Sequence, residues 1–422
     1  MSRRKVYLNA SLATCIALTP VLIQAGTSSV SAEASIKPKI ELEKKQKKVR
    51  VVVELVGAPA IAEAAQKGKK FNELTKSEQN KAQQSVQSEQ KRAKSALKKQ
   101  GVTATPIEEF TTVFNGFSTF LSTSEIAKVE ALPEVATVHV VNEYERPEVK
   151  PDMVTSNGMV QAEQTWGDYG FAGEGTVVAV IDSGIDADHR DYRITDAKTA
   201  ELTKSEVDQA ITSFGLPGEY VNEKVPYAYN YYDENDDIKD DSPGASMHGQ
   251  HVSGTVAANG DLENGGIKGV APEAQILGLK VFSNDPNYAS TYGDIYIKAI
   301  DDAIKLGADV INMSLGSTAG FVDADSPEQQ AVQRAVDNGV FMSISAGNSA
   351  YFGHGFDLPT ASNPDTGVVG APSVSQASTS VASLENDQIQ LDAFRVGDEK
   401  IGWKKQDGPA FSEGTYDIVY VG

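Results

Sequence analysis

The sequence predicts an α/β protein, a doubly wound and mostly parallel sheet preceded by a small ferredoxin-like α+β unit. Three observations carry that expectation. Past Trp166, apolar runs of strand length alternate with helical patterns, the order that builds a parallel sheet covered by helices. From Lys44 to about Val141 the elements read β-α-β-β-α-β, the split-βαβ order. Charge divides at the same place. Through Lys150 there are 23 Lys/Arg against 16 Asp/Glu, net +7, and the rest of the chain carries 15 against 42, net −27. A basic first third on an acidic body suggests two parts that face each other, and it argues against nucleic acid as the body's partner. Hydrophobic residues make up 40% of the 422, enough for a sizeable core and too many for a disordered chain.

At the amino terminus, Arg3, Arg4 and Lys5 precede an apolar stretch over 10–25 and the small-residue triplet Val30-Ser31-Ala32, the three regions of a secretory signal. Residues 1–32 are expected to be removed on export. The stretch falls short of the ~20 residues of a membrane span, and Pro20 interrupts it. Cys15, the one cysteine, lies inside this segment, so no disulfide or thiolate metal site is expected in the mature protein. Residues 33–150 form the first unit and its linker. Residues 51–55 read as a strand and 72–99 as a polar helix. Two short strands over 111–121 meet at Asn115-Gly116, a hairpin signal. Ser122 or Thr123 then caps a helix with Ile126, Val129 and Leu132 on one face, and 135–140 forms the last strand. Residues 143–150, rich in Glu, Arg, Pro and Lys, read as a linker and a processing site.

Residues 151–387 make the larger unit. Continuous apolar runs at 176–181, 275–282, 309–315 and 340–345 read as strands buried on both faces. Helical patterns at 248–258, 292–306 and 328–338 lie between them, with Gly307 and Gly339 at C-terminal caps. In such a sheet, sites lie beyond the carboxyl ends of the strands.

Chemistry-bearing residues gather at those ends. Asp182 follows five apolar residues in Val-Ala-Val-Ile-Asp-Ser-Gly, and a carboxylate there is costly to bury unless something pairs with it. The alternative is a capping Asp. His248-Gly249-Gln250-His251-Val252 opens a helix of small residues. A zinc reading of His248 and His251 is weak, because the His-Glu-x-x-His arrangement and its general-base Glu are missing. Asn348, in Ser345-Ala346-Gly347-Asn348, could cap a turn or aim its amide at a developing oxyanion. The crowded carboxylates over 233–241 could hold a hard cation such as calcium, and a solvated acidic loop is the plainer reading.

Together these residues resemble the subtilisin-like serine endopeptidases, the subtilases. Asp182 matches that family's aspartate motif, His248-Gly249-Gln250-His251-Val252 its histidine motif, and Asn348 its oxyanion-hole Asn. Ser314-Leu315-Gly316 looks like the strand lining the primary specificity pocket, with Ala346 and Gly347 beside it. The first unit resembles the family's inhibitory prodomain. Pro364 to Gly370 and the long acidic loop before His248 look most like the lactocepin-type cell-envelope proteinases, so residues 388–422 are expected to open a protease-associated insert. The resemblance implies a secreted peptidase, cell-wall associated in some members, that acts on peptide bonds and is inhibited by its own prodomain; no cofactor is expected beyond the calcium left open above. In it His248 is the base, Asp182 holds the imidazole, and Asn348 donates to the tetrahedral oxyanion.

One departure bears on activity. The family's nucleophile lies in Gly-Thr-Ser-Met-Ala, and this sequence holds no matching copy. Gly26-Thr27-Ser28 falls in the signal segment, and Gly244-Ala245-Ser246-Met247 directly precedes the base. The expectation is a chain that stops before its nucleophile and is silent by itself. A secreted pseudoprotease or binding protein is the second reading. A nucleotide-binding protein is a third, opposed by Gly173-Glu174-Gly175, which precedes its strand instead of following it.

Overall fold

Alternation decides the first sheet of the computed structural model, which describes residues 48–146, 156–241, 245–349, 368–384 and 392–403, all within the unit Gln46–Gly422. In β1 (Lys48–Leu55), Val51, Val53 and Leu55 enter one apolar cluster, while Val52 joins another on the opposite face, flanked by Arg50 and Glu54. The expected signal segment lies outside the described residues, as do 147–150 of the expected linker and the first five residues, 151–155, of the expected larger unit.

After α1 (Ile61–Gln66) and a 3-10 turn (Phe71–Glu73), Thr75 caps α2 (Lys76–Lys99). Its Oγ1 accepts from Glu78 N–H at 3.3 Å, and the Glu78 carboxylate accepts from Thr75 N–H at 2.8 Å. The helix therefore begins four residues later than the expected 72. β2 (Glu109–Phe110), β3 (Gly116–Ser122), α3 (Thr123–Glu130) and β4 (Val135–Val140) complete the unit. The sheet order is β2-β3-β1-β4 with every pair antiparallel, the expected ferredoxin-like arrangement. Leu97 of α2 and Val129 of α3 pack with Phe117 and Leu121 on its apolar face.

Asn115-Gly116 is not the hairpin turn. Gly116 is already the first residue of β3, opposite Phe110, and 111–115 form the connection. The amides of this loop are drawn elsewhere. Thr112 N–H and Val113 N–H donate to the Asp301 carboxylate at 2.6 and 2.8 Å, with Thr111 N–H at 3.3 Å. The expected linker also starts differently, because Glu143–Glu145 forms a strand, β5, paired with the larger unit.

Two helical turns, α4 (Ser156–Met159) and α5 (Ala162–Gln164), lead into the larger sheet. Its elements in order are β6 (Val177–Asp182), α6 (Lys204–Phe214), β7 (Tyr227–Asn230), α7 (His248–Ala257), β8 (Gln275–Lys280), β9 (Ser290–Tyr292), α8 (Gly293–Lys305), β10 (Val310–Met313), α9 (Pro327–Asp337), β11 (Phe341–Ser345) and β12 (Thr379–Val381). The main sheet runs β12-β11-β10-β6-β8-β7, every pair parallel. A separate hairpin, β13 (Asp392–Val396) and β14 (Glu399–Trp403), comes after it in the chain.

Alternate residues of β6 serve opposite faces. Val177, Ala179 and Ile181 pack with Val207 of α6, Ile300 of α8 and Val332 of α9, whereas Val178 and Val180 pack with Ala257 of α7 and Tyr192. Burying each of these valines and isoleucines stabilises the fold by roughly 1.5–3 kcal/mol. The chain winds from β6 out to β7, back through β8, and then across to β10, so the switch in winding direction falls at β6. The charged face of the first sheet lies against α8 and α9. Arg50 Nε bonds Asp294 at 2.9 Å, and Arg334 of α9 reaches Glu54 at 3.4 Å.

Candidate active site

Asp182 ends β6 at that switch point, and its carboxylate is almost wholly buried. Oδ1 accepts from its neighbour Ser183 N–H at 2.6 Å and meets His248 Nδ1 at 2.7 Å. Oδ2 is buried and has no hydrogen-bond partner among the described residues. With Nδ1–H donated to the carboxylate, the other ring nitrogen of His248 keeps its lone pair for accepting a proton.

Local geometry explains how the two residues meet. His248 is the first residue of α7, entered through Met247 in the left-handed region at φ 52°, a conformation that a non-glycine residue keeps only when its surroundings impose it. The next residue has to be small. A Cβ on Gly249 would stand 2.4 Å from the Gly184 carbonyl and 3.1 Å from Asp182 Cβ, so only glycine lets the helix come this close to the strand end. Ser183 fastens the two. Its Oγ accepts from Gly249 N–H at 3.0 Å and donates to Asp240 at 2.7 Å. His251, one turn on, is half-buried, and burial followed by the neighbouring His248 charge holds its pKa below the ordinary value.

The remaining expected residues stand at the same sheet edge. Ser314, Leu315 and Gly316 continue β10; Leu315 is buried, and Ser314 Oγ accepts from Asn312 at 3.0 Å. Ala346, Gly347 and Asn348 continue β11, with Gly347 at φ +100° and Asn348 exposed. Residues 369–371 lie between these two segments. Ser317 N–H donates to Ala371 O at 2.9 Å, Gly320 N–H to Val369 O at 2.8 Å, and Gly370 N–H to Ala346 O at 3.1 Å. The backbone edges expected to line a pocket are thus tied into one surface, one and two strands from the strand that ends in Asp182.

Sequence reasoning missed Ser183, Asp240 and Arg146. The acidic loop over 233–241 is not simply solvated. Asp233 accepts from Ser283 Oγ at 2.6 Å, Asn284 N–H at 2.8 Å and Asn230 Nδ2 at 2.9 Å, and Asp240 binds Ser183 and Arg146. Among the described residues no group of three or more His, Cys, Asp or Glu is placed to hold a metal ion. Lys280, opposite Asp182 in β8, is buried with its ammonium on the Ser183 carbonyl, and burial pushes its pKa down to about 8.

An Asp–His pair at a parallel-sheet switch point, with backbone edges on the next two strands, is an arrangement suited to general-base chemistry on a bound amide. Comparison with known proteins gives the family. The subtilase family model matches residues 173–417, and the peptidase inhibitor I9 model matches residues 52–145. The chain is 42% identical over 296 residues to the PI-type proteinase of Lactococcus lactis subsp. cremoris, covering 69% of this chain and 15% of that protein. It is 41% identical over 298 residues to the PII-type proteinase of Lacticaseibacillus paracasei, with the same two coverages of 69% and 15%. To the C5a peptidase of Streptococcus pyogenes it is 38% identical over 222 residues, which is 51% of this chain and 18% of that one. The chain spans less than a fifth of the length of these relatives. With an inhibitor I9 segment followed by a subtilase segment over more than half its length, the chain belongs to the subtilase family.

Proposed function

We propose that this chain belongs to an exported serine endopeptidase that hydrolyses peptide bonds by acyl transfer. The observation that carries the reading is the 2.7 Å bond between His248 Nδ1 and the buried Asp182 carboxylate. That bond fixes the tautomer, so the free ring nitrogen takes the nucleophile's proton and later returns it to the leaving amine, while Asp182 steadies the imidazolium. Asn348 donates to the tetrahedral oxyanion. The backbones of Ser314, Leu315, Gly316, Ala346 and Gly347 line the pocket for the side chain next to the scissile bond. The nucleophile is a serine in the family's Gly-Thr-Ser-Met-Ala motif, which the 422 residues do not contain. The I9 segment acts as an intramolecular inhibitor, since β5 occupies the edge of β9, where an extended peptide would bind.

Labelling with a fluorophosphonate tests this. The 422-residue chain stays unlabelled. A longer chain that supplies the Gly-Thr-Ser-Met-Ala serine is labelled there, and His248→Ala abolishes the labelling. A labelled serine within the 422 residues would refute the assignment of the nucleophile.

A further inference from the structure

The strand that closes the first unit displays how an extended peptide sits on the edge of β9, linked through Asp240 to Ser183, the neighbour of Asp182. β5 adds to β9 antiparallel, bracketed by Gly293 N–H to Asn142 O at 3.0 Å and Arg146 N–H to Ala289 O at 2.8 Å. Side chains alternate along such a strand. Glu143 and Glu145 are exposed, whereas Tyr144 and Arg146 turn inward. Tyr144 meets Tyr296 edge-on with centroids 5.3 Å apart, their hydroxyls 3.0 Å apart.

Arg146 enters a pocket of its own. Its guanidinium donates to Asp240 Oδ1 at 3.0 Å and to the Ser283 carbonyl, and lies 5.7 Å from the centroid of the Phe282 ring. The Asp240 side chain is 1% exposed, and its second oxygen is held by Ser183 Oγ. A buried carboxylate with one oxygen anchored and the other presented beside a carbonyl and an aromatic face suits a planar guanidinium. Lys280 does not replace it, because that ammonium is directed at the Ser183 carbonyl.

We infer that Asp240 is a specificity-determining residue, selecting an arginine two positions after an aromatic residue in peptides bound as an added strand on β9. The inference rests on the peptidase reading above. Backbone pairing supplies affinity in this mode, and pockets for alternate side chains supply selectivity. An alanine in Arg146's place leaves Asp240 Oδ1 without its charged partner, and a glutamate repels the carboxylate. Lysine reaches the site as a point charge without the guanidinium's fork.

Two measurements decide it. In the 422-residue chain, Asp240→Asn should speed hydrogen exchange of the Arg146 amide by roughly 10–100-fold, the loss of a charged hydrogen bond, with Leu277 in the sheet as the folding control. Should that variant fail to fold, Arg146→Ala is read at the amides of β9 in the same way. A change below about threefold overturns the inference. In the longer, active chain, kcat/KM for peptides centred on Tyr-Ala-Arg should exceed that for Tyr-Ala-Ala by roughly 10–100-fold, and Asp240→Asn should bring the ratio near one, whatever its absolute rate. Cleavage without an arginine preference overturns the inference and leaves proteolysis standing. If no peptide is cut, the peptidase reading falls, and the exchange measurement alone decides whether Asp240 reads an arginine.

Discussion

Asp301→Ala should loosen the first domain from the second while leaving the larger sheet folded. Asp301 lies on α8 and is fully buried, yet it accepts three backbone N–H groups from the loop between β2 and β3. The bonds to Thr112 and Val113, at 2.6 and 2.8 Å, are short enough to count as charge-assisted; each contributes roughly 1.5–3 kcal/mol. The third, at 3.3 Å, adds little. Removing the carboxylate therefore costs about 3–6 kcal/mol of docking, with the lower end expected because the freed loop regains water. About 3 kcal/mol corresponds to roughly 10²-fold in the docked fraction. Damage within α8 is limited, since Lys305 keeps its bond to Asp302 at 3.0 Å. Amide hydrogen exchange reads the result. Thr112 and Val113 should exchange about a hundredfold faster, while Leu277 and Leu279 in the larger sheet stay within threefold. Asp301→Asn, which keeps one acceptor oxygen, should fall between. Unchanged protection at Thr112 and Val113 in Asp301→Ala would refute the reasoning.

Glu108 faces Asp294, Lys298 and Asp302 of α8 and Glu234, and burial first, then these carboxylates, raises its pKa to about 8 from 4.5. An acid with a raised folded pKa gives stability that is present below pH 4.5 and lost as pH rises toward 8. Thermal unfolding of Glu108→Gln should lose this part of the pH dependence, and a slope identical to that of the parent chain would count against it. Gly249→Ala should destabilise by roughly 1–3 kcal/mol and weaken fluorophosphonate labelling of the longer chain, because the new Cβ meets the Gly184 carbonyl. Undiminished labelling would mean that α7 can shift without cost. N-terminal sequencing of the exported protein should begin at Glu33, and a start before Gly26 would remove the signal-segment assignment.

The sheet is legible in the sequence where burial on both faces leaves unbroken apolar runs, as in β6 and β8. It is not legible at β7, whose Tyr-Ala-Tyr-Asn is short and sits at the edge. α6 does carry a local signal: Thr203 with Glu206 forms a capping box, and Val207, Ala210 and Phe214 recur at helical spacing. Asn115-Gly116 misleads because local turn preference is outweighed by a carboxylate nearly two hundred positions away, and no local window contains Asp301. The Asp182–His248 pair is readable because a carboxylate at the end of an apolar run demands a partner. The partners of Asp240 are not, because an acidic loop looks solvated until Ser183 and Arg146 are brought to it by the fold.

The charge division between the two parts is right in sign and too simple as a cause. Most of the first domain's excess lies on α2, where Lys76, Lys81, Lys91, Arg92, Lys98 and Lys99 are all exposed and contribute little to docking. Lys94 and Lys67 pair with glutamates of their own domain. Two arginines, Arg50 and Arg146, do meet carboxylates of the larger domain, and there the carboxylates are only 0% and 1% exposed. Opposing them, Glu54 presents its carboxylate to Arg334, with the signs reversed, and Asp301 takes backbone amides of the first domain in place of a basic side chain. Net charge therefore steers the two domains together over a Debye length of ~8 Å, while a handful of buried carboxylates facing fixed donors sets where they stop. Those contacts are screened little by salt, so the register that brings Tyr144 and Arg146 onto β9 is set by hydrogen-bond geometry more than by the difference between +7 and −27.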